Sequence, residues 1–305
     1  MITKKKTNWF RMLFEWEGSV LPQLLPRLSI LFIFSVLIVY FREFLLRYHI
    51  HINPAIFTLF GIALAIFLGF RNSVSYDRFW EGRKLWGALL NDTRSLSRQA
   101  HTLIQGSDYS EQQAVFTNYL IAFVYALKHQ LRHSDPDADM QRLLPTSFAE
   151  QLKGFTFKPV IIMKELGLWV GNARTESRID TIAQVAFDEN LNRLSDIIGG
   201  CERIAATPIP YTYSVLLHRT VYMYCFMLPF GFVDSLGWIA PFIIVFIAYT
   251  FVALEAIADE LEEPFGVEPN DLALDTMAEM IERTLKEFDG IMIPASAKSG
   301  NYFVT

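Results

Sequence analysis

Only two cysteines, Cys201 and Cys225, occur among the 305 residues. That number excludes a disulfide framework, and neither has metal-ligand spacing, so both read as small buried residues. Basic charge has no majority: 27 Lys and Arg face 32 Asp and Glu, a formal net charge of −5, so no basic face is offered to nucleic acid. The sequence holds no G-x-S-x-G, P-loop, H-E-x-x-H or glycine-rich nucleotide fingerprint, and an enzyme would need a site of some other kind. No convincing alternating strand run and no internal repeat is found. Lys4, Lys5 and Lys6 precede the amphipathic WFRMLFEWEG, without the short apolar core and small-residue cleavage site of a signal peptide.

Apolar residues are abundant instead. They make up 52% of the chain, aromatics 14% and charged residues 19%, with a mean hydropathy of +0.25. That is too apolar for an ordinary soluble domain and too charged for a bundle made only of membrane spans. Four candidate spans explain the balance. The first runs from about Leu24 to Leu46, with Arg27 and Arg42 bracketing a charge-free core of 14 residues, Leu28 to Phe41, and placed to snorkel to the two interfaces. The second opens at Asn53-Pro54, an N-cap followed by proline at the first helical position. From Ile52 to Phe70 it carries 19 residues without formal charge, roughly 28 Å of helix and close to a bilayer core. It then turns polar at Arg71 and continues as the aromatic, basic stretch SYDRFWEGRKLWG. The third span covers about Pro210 to Val233, includes His218 and Arg219, and is expected to kink at Pro229. The fourth, Ser235 to Leu254, has 20 uncharged residues.

Basic residues before span one and after span two, against none in the turn near Asp234, place both termini and the middle region in the cytosol. The loop from His49 to Asn53 is then the outer one, although Arg42 and Arg47 weaken the asymmetry there. The middle region reads as helical. Phe116, Tyr119, Leu120 and Phe123 recur at helical spacing, as do Leu191, Leu194, Ile197 and Ile198. Ser134 to Met140 reads as a loop, Ser147 with Glu150 as a helix start, and Leu272 to Glu287 as a last helix. The tail from Pro294 is expected to be mobile.

Three stretches resemble the bestrophins, including the bacterial members of that channel family: IALAIFLGFRNSVSYDRFWEGRKLWG (Ile62 to Gly87), TPIPYTYSVLLHR (Thr207 to Arg219) and DELEEPFG (Asp259 to Gly266). Their order and the four-span layout fit that family along nearly the whole chain. The resemblance implies an all-α membrane protein that assembles as a homopentamer around a central pore in the bacterial inner (plasma) membrane. It divides the chain into an N-terminal amphipathic segment with spans one and two (1–70), a cytosolic helical domain (71–209), spans three and four (210–255) and a cytosolic C-terminal segment (256–305). The implied activity is passive conduction of small monovalent ions, with the lipid bilayer, the ions and further copies of the chain as partners and with no required cofactor.

The site residues follow from the same resemblance. Ile62, Ile66 and Phe70 lie at i, i+4 and i+8, one face of a helix. Most apolar stripes of this kind pack against lipid or a neighbouring helix, but these positions match the hydrophobic neck that lines a bestrophin pore. Animal bestrophins favour anions and tend to place aromatic rings in the neck, whose electropositive edges assist an anion. Two of the three positions here are isoleucine, and a cation preference is therefore expected over the alternative, a chloride-selective channel. Ile179 and Ile182 are candidates for a second, cytosolic constriction, Ile179 preferred. Glu260, Glu263, Glu268 and Asp271 occupy the region where animal relatives bind calcium. The dense acidic run is missing and Pro269 interrupts it, so calcium is a doubtful ligand.

Other features read as structural. Gly61, Ala63, Ala65 and Gly69 suit close helix packing. The polar stretch after Arg71 is expected to couple the membrane and cytosolic parts, with Arg and Asp pairs partly buried between subunits. His129 and His133 have a spacing that a metal could use, but no third ligand is evident. The competing class is a non-conducting membrane scaffold or sensor whose cytosolic helices bind a partner. A secondary transporter would need paired broken helices in two related halves, which are absent.

Overall fold

The structure, a computed structural model, describes residues 9–12, 16, 18–47, 53–106 and 109–292. Regular structure among them is entirely helical: α1 (Trp9–Met12), α2 (Leu21–Tyr40), α3 (Arg42–Arg47), α4 (Pro54–Thr102), α5 (Ser110–Arg132), α6 (Asp137–Leu143), α7 (Thr146–Leu152), α8 (Lys158–Thr175), α9 (Thr181–Ala206), α10 (Tyr211–Leu236), α11 (Ala240–Glu262) and α12 (Leu274–Phe288). Of the described residues, those of 9–79 with 208–263 form one compact unit and those of 80–207 with 264–292 another. The first boundary falls inside α4, several residues beyond the polar switch at Arg71. Lys4 to Lys6, the outer loop between residues 48 and 52, and the tail from Pro294 lie outside the described residues.

The first unit is built from α2, α3, the N-terminal half of α4, α10 and α11. Its apolar core takes Leu24, Leu28 and Leu31 from α2, Phe57, Leu64 and Leu68 from α4, Val221 and Leu228 from α10, and Ile244, Ala248 and Val252 from α11. Three stretches are long and apolar enough to cross a membrane: Leu21–Tyr40, Pro54–Thr102 and Tyr211–Glu262. The third is two helices. Gly237, at a φ of +52°, ends α10, and a short 3-10 turn, Gly237–Ile239, leads into α11. Contacts of His218 with Glu255 and of the Tyr224 ring with Phe251 show that the two helices run antiparallel. A Cβ on Gly231 would fall 2.3 Å from the Phe57 ring, so α4 and α10 meet there only because glycine has none.

Asn53 caps α4 as its sequence predicts, its Oδ1 accepting the Ala55 N–H at 2.9 Å. The first span differs from expectation. It ends at Tyr40, where the Phe41 N–H turns back to the Leu37 carbonyl. The chain restarts as α3 at Arg42, whose guanidinium lies 3.6 Å from the Asp234 carboxylate. The chain thus turns where the first charge after the apolar core finds a partner.

The second unit is centred on α5, which packs against α6, α8, α9 and α12. Both expected periodicities are core faces: Phe116, Leu120 and Phe123 are buried on α5, and Leu191, Leu194, Ile197 and Ile198 on α9. Tyr119 is the partial exception, half-buried and stacked on Phe148 at 5.6 Å. Several boundaries differ from the sequence reading. The predicted loop 134–140 gives way to α6 at Asp137, whose N–H is accepted by Asp135 Oδ1 at 3.0 Å. Ser147 is no cap, because α7 already starts at Thr146 behind Pro145, and Glu150 pairs with Lys153 at 2.8 Å. The last helix starts at Leu274, two residues later than expected.

A charged network ties α12 to α5 and α6. Glu282 accepts hydrogen bonds from Tyr125 Oη at 2.7 Å and from Arg142, and Asp275 accepts from Arg132 at 2.5 Å and lies 3.0 Å from Lys128 Nζ. Asp139 pairs with His129 at 3.0 Å and with Arg142 at 3.2 Å. Burial alone would raise the pKa of each carboxyl. The bonds from Arg142 and Tyr125 outweigh it at Glu282, those from Lys128 and Arg132 at Asp275, and those from His129 and Arg142 at Asp139, so all three lie below their ordinary values. A carboxylate held low contributes stability above its unfolded pKa and loses it as pH falls through the folded one. Thermal unfolding followed from pH 7 downward should therefore show little loss until the ordinary values of 4.5 for Glu282 and 3.8 for the aspartates are reached, then a steep loss. Glu282→Gln should reduce that acid-dependent component.

Candidate functional site

Helix α4 has 49 residues, about 73 Å at 1.5 Å per residue. Its apolar half has two kinds of face. Phe57, Leu64 and Leu68 are buried in the unit's core, while Ile62, Ile66 and Phe70 are 57%, 53% and 62% exposed. The three exposed side chains therefore stand on one line of roughly 12 Å that the described residues leave more than half open. Leu59 and Phe67 are exposed as well, so exposure alone does not single out the predicted neck. Among the small residues, Gly61 admits close packing, since a Cβ there would sit 2.7 Å from Tyr224 Oη, whereas a Cβ at Gly69 would meet nothing within 4 Å.

The helix becomes polar at Arg71, and there the three family-like stretches converge. The Arg71 side chain is buried and donates to Asp259 and, at 3.4 Å, to Glu262 Oε2. Glu262 Oε1 accepts the Ile209 N–H at 2.9 Å, and the Glu262 carbonyl accepts from Arg78 Nε at 2.9 Å. The next residue, Asn72, donates through Nδ2 to the Leu254 carbonyl at 3.1 Å. A second polar pair lies nearer the apolar region, with His218 Nδ1 2.8 Å from the buried Glu255 carboxylate. Sequence reasoning missed both clusters, because their members are 37 or more residues apart. The one signal was the presence of Arg71, His218 and Glu255 beside otherwise apolar runs, where an ionisable group calls for a named partner. Within the stretch SYDRFWEGRKLWG, where charge pairs between subunits were expected, Glu81 pairs with Arg203 of the same chain at 2.5 Å.

The two candidates for the cytosolic constriction separate cleanly. Asp180 caps α9, its Oδ1 accepting the Ala183 N–H at 2.7 Å. Ile179 precedes the cap and is 4% exposed, while Ile182, in the first turn, is 81% exposed. Of the two candidates, Ile179, the one preferred from the sequence, is packed within this chain, and Ile182 is the exposed one.

The four acids proposed for calcium belong to both units. Glu260 and Glu263 fall in the first unit and Glu268 and Asp271 in the second. No group of three or more His, Cys, Asp or Glu side chains arranged to hold a metal occurs among the described residues. Asp271 is buried, and its Oδ2 accepts the Glu268 N–H at 2.7 Å, a turn-forming bond. His129 is likewise engaged, with Ser134 at 2.7 Å and Asp139 at 3.0 Å.

Residues 1–287 match the family profile described as Bacterial/Fungal Bestrophin protein. A voltage-dependent anion channel-forming protein of Ralstonia nicotianae is 49% identical over 290 residues, 95% of each chain. A protein of the same description from Escherichia coli is 38% identical over 296 residues, 97% of this chain and 96% of that one. The fold matches a crystal structure of a bacterial bestrophin homologue from Klebsiella pneumoniae with a TM-score of 0.85 at 40% identity, over 89% of this chain and 100% of that one.

The bonds at Glu262 make a graded prediction. Glu262→Gln keeps an acceptor for Ile209 but loses the charge opposite Arg71, whereas Glu262→Ala loses both. Leaving a buried donor unsatisfied costs about 1–3 kcal/mol, so the alanine variant should unfold at a lower temperature in detergent than the glutamine variant, and both below the parent. Equal melting of all three would show that the cluster does not hold these segments together.

Proposed function

We propose that this chain, which belongs to the bestrophin family, forms an ion channel: a homopentamer in which five copies of α4 surround one axial pore for small monovalent ions. In this reading α2, the first half of α4, α10 and α11 are four membrane spans. Both termini and the region 71–209 lie in the cytosol of a bacterium whose inner membrane holds the channel. The observation that carries it is the uncovered line Ile62, Ile66 and Phe70 on a helix whose opposite face is buried. Five such lines would make three stacked apolar rings. An ion there loses hydration without replacement ligands, so the neck would close by dewetting and open when the helices rotate or splay. Ile182 would form the cytosolic constriction, with Ile179 packed behind it.

The relatives' names support an anion preference, and the cation preference expected from the sequence has no support among them. One observation favours the cation reading: two of the three rings are isoleucine, with no electropositive ring edge to assist an anion.

Purified protein in planar bilayers should carry current, which a scaffold or sensor would not. In a NaCl gradient, reversal near the chloride potential is expected, and reversal near the sodium potential would establish the cation reading instead. Under the anion reading Ile66→Phe should strengthen the chloride preference. Ile66→Ala should raise conductance severalfold by easing dewetting of the neck. Ile182→Ala should alter conductance at unchanged thermal stability, whereas Ile179→Ala should cost about 2–4 kcal/mol of stability by opening a cavity.

A further inference from the structure

A cleft of about 140 Å³ opens between α2, α10 and α11. Leu28, Leu31, Phe226, Ala248 and Val252 line it, and Arg27 and Tyr222 stand at its mouth. Ile30, also part of the lining, is 59% exposed and Phe226 is 37% exposed, so the rim faces away from the protein. Arg27 Nη1 donates to Tyr222 Oη at 2.8 Å, and its guanidinium carbon lies 6.0 Å from the centre of that ring. Arg27 is exposed, and among the described residues no carboxylate lies within 4 Å of it. Tyr222 in turn stacks at 4.5 Å on His218, the partner of Glu255. The cleft thus joins a polar group, Arg27 with Tyr222, to an apolar lining from α2, α10 and α11.

We propose that this cleft is a binding site for an anionic phospholipid, with the phosphodiester on Arg27 and a length of acyl chain in the apolar pocket. A guanidinium presents a planar fork that fits phosphate oxygens, and Tyr222 both fixes one arm of that fork and can donate its own hydroxyl proton to the phosphate. An apolar pocket of this size has no polar partners to hold water, whereas hydrocarbon fills it. Basic pockets between spans on the cytosolic side suit anionic headgroups in the same way. The inference rests on the membrane placement of these helices given above, and not on conduction.

The test uses full-length protein stripped of lipid in nonionic detergent, titrated separately with phosphatidylglycerol and phosphatidylcholine, with bound lipid counted by native mass spectrometry. Phosphatidylglycerol should bind at about tenfold lower concentration, a difference of about 1.4 kcal/mol. Arg27→Gln, an exposed substitution, should erase that difference, and Arg27→Lys should keep most of it. Ala248→Leu, which fills the pocket, should lower occupancy by both lipids. Equal binding of the two lipids by the parent, or unchanged preference in Arg27→Gln, would overturn the site. Displacement of phosphatidylglycerol by millimolar inorganic phosphate would overturn the acyl-chain part and leave a plain phosphate site. Ion flux is recorded on the same preparations. Lost lipid preference with intact flux counts against the site alone, and intact preference without flux counts against the channel alone.

Discussion

A guanidinium buried where an apolar helix turns polar must be neutralised inside the protein, and the first unit is organised around how Arg71 meets that demand. Glu262 commits both carboxylate oxygens and its own carbonyl, to Arg71, Ile209 and Arg78 respectively, and Asp259 adds a second carboxylate. The partners come from three stretches, with Ile209 53 residues and Arg71 191 residues from Glu262 in sequence. A buried ion pair of this kind adds modest net stability compared with an apolar substitute, yet removing one partner is expensive. Its value lies in register: α4, the entry to α10 and the end of α11 satisfy their polar groups in one mutual arrangement.

The same helix also carries an apolar face that the described residues leave largely open. Burial of Phe57, Leu64 and Leu68 orients α4 against α10 and α11, which fixes the opposite face outward. That face is apolar, so it must meet lipid, other copies of the chain or a dewetted passage. The second unit has a different economy. Its core is ordinary, built on α5, and its charged groups are satisfied by close partners on α5, α6 and α12. In the first unit, by contrast, apolar surface is left open on the exposed face of α4 and at the Arg27 cleft.

Much of the fold was legible because it depends on local signals. The Asn53 cap, the uninterrupted helix beyond Arg71 and the two core stripes at Phe116 and Leu191 follow from spacing and composition. Boundaries set by backbone turns were harder. Nothing in the run around Phe41 announces that the helix stops there, and the partner of the next residue, Arg42, is a carboxylate at Asp234, far along the chain. The different exposure of Ile179 and Ile182 was equally hard to read, since both are isoleucines beside Asp180 and one is buried while the other is exposed. The acids after α11 looked like one group in sequence and are divided between the units in space. The Glu262 cluster was invisible as a cluster, although each of its members stood in a stretch that resembled the family.

Cys201 and Cys225 are both buried and unpaired. For Cys201, burial pushes the thiol up to about 12, and Glu202 and Glu81 add to the rise. A thiol held that far from its ionised form is a poor nucleophile, and lack of access protects Cys225. The natural chain is accordingly close to silent towards maleimides and spin labels. A single cysteine introduced at an outward position could be tagged without first removing the native pair, so its two packing partners can stay where the core needs them.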